Sequence, residues 1–312
     1  MTITMDVVLD TNAYRRLTYG KPVDKVRSDF AAIIGVEERK GFRAFMAPVP
    51  WIELFCHLVD PADPAFDNCL HAVVGSFLHS RIDQRFSRGK LMPNWQLLAA
   101  YALFHYDAPA HRQSLYALDD IAAAINASPT KETVEGNRDS LERVKQFSDK
   151  HKALFMDSFR EKQTEFHDFS QEQKKAIRKD FAAREFEALL PCLYFVLVQG
   201  AATAGIDLHS IPYQEHWELL IRIAKLFPAP CYLHKYILEK LMEPCLVKIE
   251  SNRRYNWYWD YQLLFYISLQ TQLILVTGDK EMIDAAKEAG IGDRIFSLEQ
   301  YVALLELNIP IG

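Results

Sequence analysis

The chain has 312 residues, of which 49% are hydrophobic and 25% charged, with a formal net charge of −5. That is the composition of a globular protein long enough for one large α/β domain or two smaller ones. The acidic balance excludes a protein that coats nucleic acid nonspecifically, since counterion release needs many Lys and Arg on one face, but it leaves room for a local basic patch.

The first predicted strand covers about residues 5–10 and contains the apolar run Val7-Val8-Leu9, then breaks abruptly at Asp10-Thr11-Asn12. Those three residues suit the N-cap of a helix through Ala13-Tyr14-Arg15-Arg16-Leu17. At the carboxyl end of a strand in an open parallel sheet they equally suit a metal or phosphate site. Helices are expected over 13–18 and 23–39, a second strand from Phe42 to Val49, and a helix opening at Pro50-Trp51-Ile52-Glu53, where proline fits the first turn. From about 60 to 250 apolar residues recur at helical spacing, as in Leu70-Val73-Val74-Phe77-Leu78, with breaks such as Asp60-Pro61-Ala62-Asp63-Pro64.

Asp260 then lies early in a helix running to Leu269, which feeds the buried strand Gln272 to Thr277 and its end at Gly278-Asp279. A helix to Ala289, a short strand at Arg294-Ile295-Phe296 and a last helix from about Leu298 complete the chain. Strand, helix, strand, helix is the pattern of a parallel sheet. The N-terminal apolar run is too short and lacks the basic leader of a signal peptide, and no stretch approaches the roughly 18 apolar residues of a membrane span. A cytoplasmic protein without a membrane partner is expected.

Several enzyme classes lose their usual signatures. Cys56, Cys69, Cys192, Cys231 and Cys245 form no C-x-x-C pair and sit in apolar surroundings, which argues for reduced thiols and against zinc. His57, His71 and His79 read as packing or helix-surface residues, and there is no G-x-S-x-G, Walker loop or G-x-G-x-x-G. Lys174-Lys175 and Arg178-Lys179 read as a solvated helix face.

What remains is a set of acids. The run ILVTGD repeats the chemistry of VVLD, so Asp10 and Asp279 end strands expected to lie parallel at one sheet edge. Glu53 opens the helix after the second strand, and Asp260 lies in the helix before the ILVTGD strand. All four can converge, and acids gathered in this way suit a cation.

These motifs resemble those of the PIN-domain family. Asp10-Thr11-Asn12 matches the family's first-strand motif, Glu53 its helix glutamate, Asp260 the aspartate opening the helix before the last major strand, and Thr277-Gly278-Asp279 its T-x-D motif. The resemblance covers the two chain ends and implies a PIN-like, three-layer α/β domain built from 1–59 and 251–312, interrupted by an all-helical insertion over 60–250. The tail after Asp260, Tyr261-Gln262-Leu263-Leu264, departs from the Ile-Ala-Ala common in the family. Asp119-Asp120-Ile121-Ala122-Ala123 has that tail, but no strand follows it, so Asp260 is preferred.

The resemblance implies metal-dependent phosphodiester hydrolysis, with RNA as the substrate. Asp10 and Asp279 are then expected to be direct ligands of Mg²⁺ or Mn²⁺, and Glu53 and Asp260 direct or water-mediated ones, since oxygen-only ligation selects these ions. Asn12 and Thr277 are candidates to orient waters or the phosphate. Arg253 and Arg254, beside Tyr255, Trp257, Tyr258 and Trp259, can hold a phosphate and stack bases, unless the aromatics pack the core instead. The insertion can restrict access, recruit a protein partner or form an oligomer. Two rivals stand beside this reading. In a haloacid-dehalogenase-type phosphohydrolase Asp10 is the nucleophile, but the acid/base position two residues on is Asn12. A PIN-like scaffold would bind RNA or protein without cutting.

Overall fold

The structure, a computed structural model, describes residues 5–81, 90–106, 109–183, 185–242, 257–269, 272–307 and 309–312. Its strands are β1 (Met5–Leu9), β2 (Phe42–Ala44), β3 (Leu273–Val276) and β4 (Ile295–Phe296), joined in one parallel sheet in the order β2-β1-β3-β4. From Val7 to Leu9 and throughout β3 every residue is buried, because helices cover both faces of a parallel sheet.

The chain leaves β1 through α1 (Thr11–Thr18) and α2 (Val23–Lys40) to reach β2 on one side, whereas β3 pairs on the other side of β1. The order therefore reverses between β1 and β3, and that crevice at the carboxyl ends of the strands is where open α/β sheets bind ligands. Beyond β3, α14 (Lys280–Glu288) leads to β4, and α15 (Leu298–Leu304) follows.

Between the two chain ends the described residues are helical: α3 (Pro48–Leu58), α4 (Phe66–His79), α5 (Trp95–Phe104), α6 (Pro109–Ala127), α7 (Lys131–Gly136), α8 (Arg138–His167), α9 (Gln171–Ala183), α10 (Glu185–Ala204), α11 (Tyr213–Leu226), α12 (Pro228–Leu241) and α13 (Trp257–Leu269). α4 lies on α1 and α2, α8 on α3, and α12 on α13 and α14, so one hydrophobic core runs from the sheet into the helical region. The approach of α4 to α2 requires Gly75, where a Cβ would stand 2.4 Å from the Phe30 ring.

Three expectations are corrected. The second strand stops at Ala44 rather than Val49, because Pro48 and Pro50 cannot donate to a ladder and α3 already begins at Pro48; beyond the strand, Met46 keeps only an isolated bridge to Leu91. Phe186–Ala204 is long and apolar enough to cross a membrane by length and composition, with mean hydropathy 1.4, although α10 packs against α5, α11 and α12 within the fold. Lys174 is buried instead of solvated, sharing the α9 face of Ile177, which packs on the core.

Candidate active site

Strand register brings the first pair of acids together. Leu9 pairs with Val276, and the Asp10 amide donates to the Val276 carbonyl at 2.9 Å, so Asp10 and Thr277 leave the sheet side by side. Asp10 is also the N-cap of α1: its Oδ1 accepts from the Ala13 amide at 2.6 Å, and its Oδ2 accepts from the Thr277 hydroxyl at 2.5 Å. The Thr277 hydroxyl accepts in turn from the Asp279 amide at 3.0 Å, and Asp279 caps α14 by accepting from the Met282 amide at 3.0 Å. Asp10 is thus both helix cap and cleft acid, whereas Asp279 caps α14 and is not among the cleft's lining residues, although its charge acts on Asp260.

Glu53 approaches on α3 and accepts a short hydrogen bond from the Thr11 hydroxyl. Asp260 projects from the first turn of α13 and makes no hydrogen bond or ion pair with a described residue. Asp10, Glu53 and Asp260 line one cleft of about 540 Å³ together with Thr11, Asn12 and Arg15. Its other wall is the polar stripe of α8, Lys145, Ser148, Asp149 and Lys152, whose spacing of three to four residues places them on one helix face.

Burial raises the proton affinity of three of these acids, and neighbouring negative charge adds to the rise at Asp10 and Asp260. Burial pushes Asp10 up to about 6 against the lowering effect of the Thr277 and Ala13 hydrogen bonds, and the Glu53 charge adds to the rise. Glu53 is raised mainly by burial, opposed by the Thr11 hydrogen bond and the charges of Lys152, His57 and Arg15. Asp260 is raised well above the usual carboxylate range, first by burial and then by the negative charges of Asp279, Glu53, Asp10 and Glu281. By exposed surface Glu53 and Asp260 are only half-buried, each open to the cleft and crowded on its other sides.

Among the described residues no three of Asp, Glu, His and Cys form a ready coordination shell. Coulombic coupling acts beyond ligand distance, so the two findings are compatible: the acids sense one another across a space wider than a closed shell. The donor set fits a hard cation in kind: it is oxygen-only, and the acids of the lining, Asp10, Glu53, Asp63, Asp149 and Asp260, outnumber its basic side chains Arg15, Lys145 and Lys152.

The remaining expected residues fall as follows. Asn12 is exposed at the cleft. Thr277, expected to orient a water or phosphate, is fully buried with its hydroxyl engaged by Asp10, so it positions that carboxylate. Arg253 and Arg254 lie outside the described residues. Trp257, Tyr258 and Trp259 are buried, which favours packing for these aromatics, and the Trp257 indole donates to Glu281 at 2.5 Å. Asp119 lies apart from the cleft, accepting from the Lys90 amide at 3.1 Å. Sequence reading missed Arg15, Lys152 and Glu281. The α8 stripe is visible as a periodicity, but nothing local says what it faces.

Comparison with protein-family models, curated proteins and solved structures gives no match to this chain.

Proposed function

We propose that the chain is a PIN-like, divalent-cation-dependent nuclease, acting on RNA, with Asp10, Glu53, Asp260 and Asp279 as the acids that would hold Mg²⁺ or Mn²⁺. One observation carries this reading: Asp260 shares the cleft with Asp10 and Glu53 and has no hydrogen bond or ion pair among the described residues, its proton affinity raised first by burial and then by the charges of Asp279, Glu53, Asp10 and Glu281. A buried cluster of like charges is costly unless it binds protons or a cation. Such a cation supplies Lewis-acid activation of a phosphoryl group and a bound water of lowered pKa.

The chain's own residues do the rest. Thr277 and the Ala13 amide fix the Asp10 carboxylate, and Thr11 fixes Glu53, so both are oriented before substrate arrives. Arg15 on α1, with Lys145 and Lys152 on the facing wall, offers positive charge to the phosphates flanking the scissile bond. Residues 60–250, read as an insertion between the nuclease halves 1–59 and 251–312, thereby contribute α8 to the cleft. RNA rather than DNA rests on the family resemblance.

The test is cleavage of end-labelled single-stranded RNA and DNA by the purified chain over a Mn²⁺ and Mg²⁺ titration. Metal-dependent cleavage of RNA, lost in Asp10→Asn, is the expected result. A folded protein that binds neither ion and cuts neither polymer overturns the proposal. Turnover of a small phosphate monoester, with beryllium fluoride trapped on Asp10, would instead select the phosphoaspartyl chemistry.

A further inference from the structure

A second cavity, of about 660 Å³, lies between α5, α8, α9, α10, α12 and α13. Its walls are aromatic, among them Trp95, Phe155, Phe195 and Tyr258. Into this apolar space come three polar side chains, Gln96, Gln199 and His234, none of which makes a hydrogen bond to a described residue. Apolar walls with a few convergent polar groups are the signature of a small-molecule site, because polar groups left unpaired in such a space are costly.

The lining selects the class of occupant. An alkyl chain would bury the two amides and the imidazole without a hydrogen-bond partner among the described residues, which disfavours it. A ligand with full charge finds no counter-charge: the ionic side chains in the lining, Lys162 and Glu165, pair with each other at 2.7 Å. A flat heterocycle satisfies both requirements, with faces that stack on aromatic rings and an edge of donors and acceptors. Burial holds His234 down to about 4, so near neutral pH its imidazole offers one donor and one acceptor.

Position connects this cavity to the acid cleft. The two share α8 and α13: Lys152 lines the cleft and His151 the cavity, as do Asp260 and Tyr258. Along α8 the cavity residues 151–166 follow the cleft residues 145–152, so at about 1.5 Å per residue the centres lie roughly 15 Å apart along the helix. That is the span of a few nucleotides. Both open to solvent, with Asn12 exposed at the cleft and Leu154 60% exposed at the cavity.

We propose that the cavity holds a nucleobase of the same single strand whose backbone lies in the acid cleft, an inference that rests on the nuclease reading above. The helical segment then selects where the strand is cut, because a base must leave its stack and enter the cavity before the phosphate is in register.

The test is a fluorescence titration of the full chain, with Ca²⁺ in place of Mg²⁺ and Mn²⁺, against single-stranded RNA carrying 2-aminopurine, and in parallel against 2-aminopurine riboside monophosphate. Strong quenching by the strand, and binding of the monophosphate at least about tenfold weaker, are expected, since the backbone adds contacts in the cleft. Leu154→Trp, at an exposed position where folding is not at risk, narrows the mouth and should raise the strand's Kd roughly tenfold, with His234→Phe giving a similar loss at unchanged Tm. Equal affinity for strand and monophosphate would mean a free-nucleotide site and overturn the proposal. So would unaltered binding in both folded variants, or displacement of the probe by a medium-chain fatty acid. Metal-dependent cleavage without quenching overturns the base site alone, whereas quenching without cleavage supports it and overturns the nuclease reading.

Discussion

Two clusters of buried or half-buried acid flank α1, and they are built on opposite principles. On one side Glu37 is almost fully buried, yet it accepts from His79 Nε2 at 2.7 Å and from the Tyr301 hydroxyl at 2.5 Å, while the Tyr14 hydroxyl lies 3.0 Å from His79 Nδ1. The order is consistent with a His79 that donates through Nε2 and accepts from Tyr14 through Nδ1. On the other side Asp10, Glu53 and Asp260 share the cleft with half-buried Arg15 and Lys152 but form no ion pair with them among the described residues, and Asp260 feels the negative charges of Asp279, Glu53 and Asp10. An acid whose lone pairs are satisfied ties α2, α4 and α15 together. Acids left in mutual repulsion store a demand for positive charge, which is the physical mark of a binding site rather than of a core.

The contrast breaks most directly at Asp10. Asp10→Asn keeps the shape and removes one charge, so cleavage should fall roughly a thousandfold or more, the loss of several kcal/mol of transition-state stabilisation, with an unchanged circular dichroism spectrum. Near-native turnover in that variant would place Asp10 among structural acids. Glu37→Ala should do the reverse, leaving His79 and two tyrosines without their buried partner and costing about 3–5 kcal/mol of stability, while activity per folded molecule is kept. Urea unfolding with active-site titration separates the two effects.

A pH series sharpens the difference. Asp10 takes up its proton near 6 in the folded chain and at 3.8 when unfolded, so between those values the folded state binds more protons. Metal-free stability should therefore fall as pH rises through that window, by on the order of 3 kcal/mol, and level off above it. Asp10→Asn should remove this part of the slope, and Mn²⁺ should restore stability above pH 6; an identical slope in the two proteins would show that Asp10 is not strained. A smaller loss is expected from Asp260→Asn, in which Mn²⁺ affinity and cleavage fall together by roughly tenfold to a hundredfold, or about 1.4–3 kcal/mol, while Asp120→Asn changes neither. Loss confined to Asp120→Asn would move the site into the helical segment. Smallest is Lys152→Ala: removal of one wall charge should weaken strand binding several-fold, by about 1 kcal/mol, and reduce its salt dependence.

Much of this was legible locally. Strand β1, the turn into α1 and the β3–α14 unit depend on short apolar runs followed by capping acids, and these are properties of ten or so consecutive residues. Where neighbours decide, local reading gave less: the second strand was overextended because Met46 and its surroundings are apolar for contact with Leu91 and Met92, not for sheet pairing. The tryptophans beside Asp260 could have faced solvent or core with equal propensity.

The sequence by itself determined that acids close strands β1 and β3 and that helices fill the space between the chain ends, because hydrophobic period and capping chemistry are carried by neighbours along the chain. Only the tertiary structure decided which acids meet, that α8 brings Lys145 and Lys152 to face them, and that Gln96, Gln199 and His234 converge in an aromatic cavity. Those facts join residues distant in sequence, as Asp10 and Asp260 are, and their meeting is set by strand register and helix packing, which depend on the whole core at once.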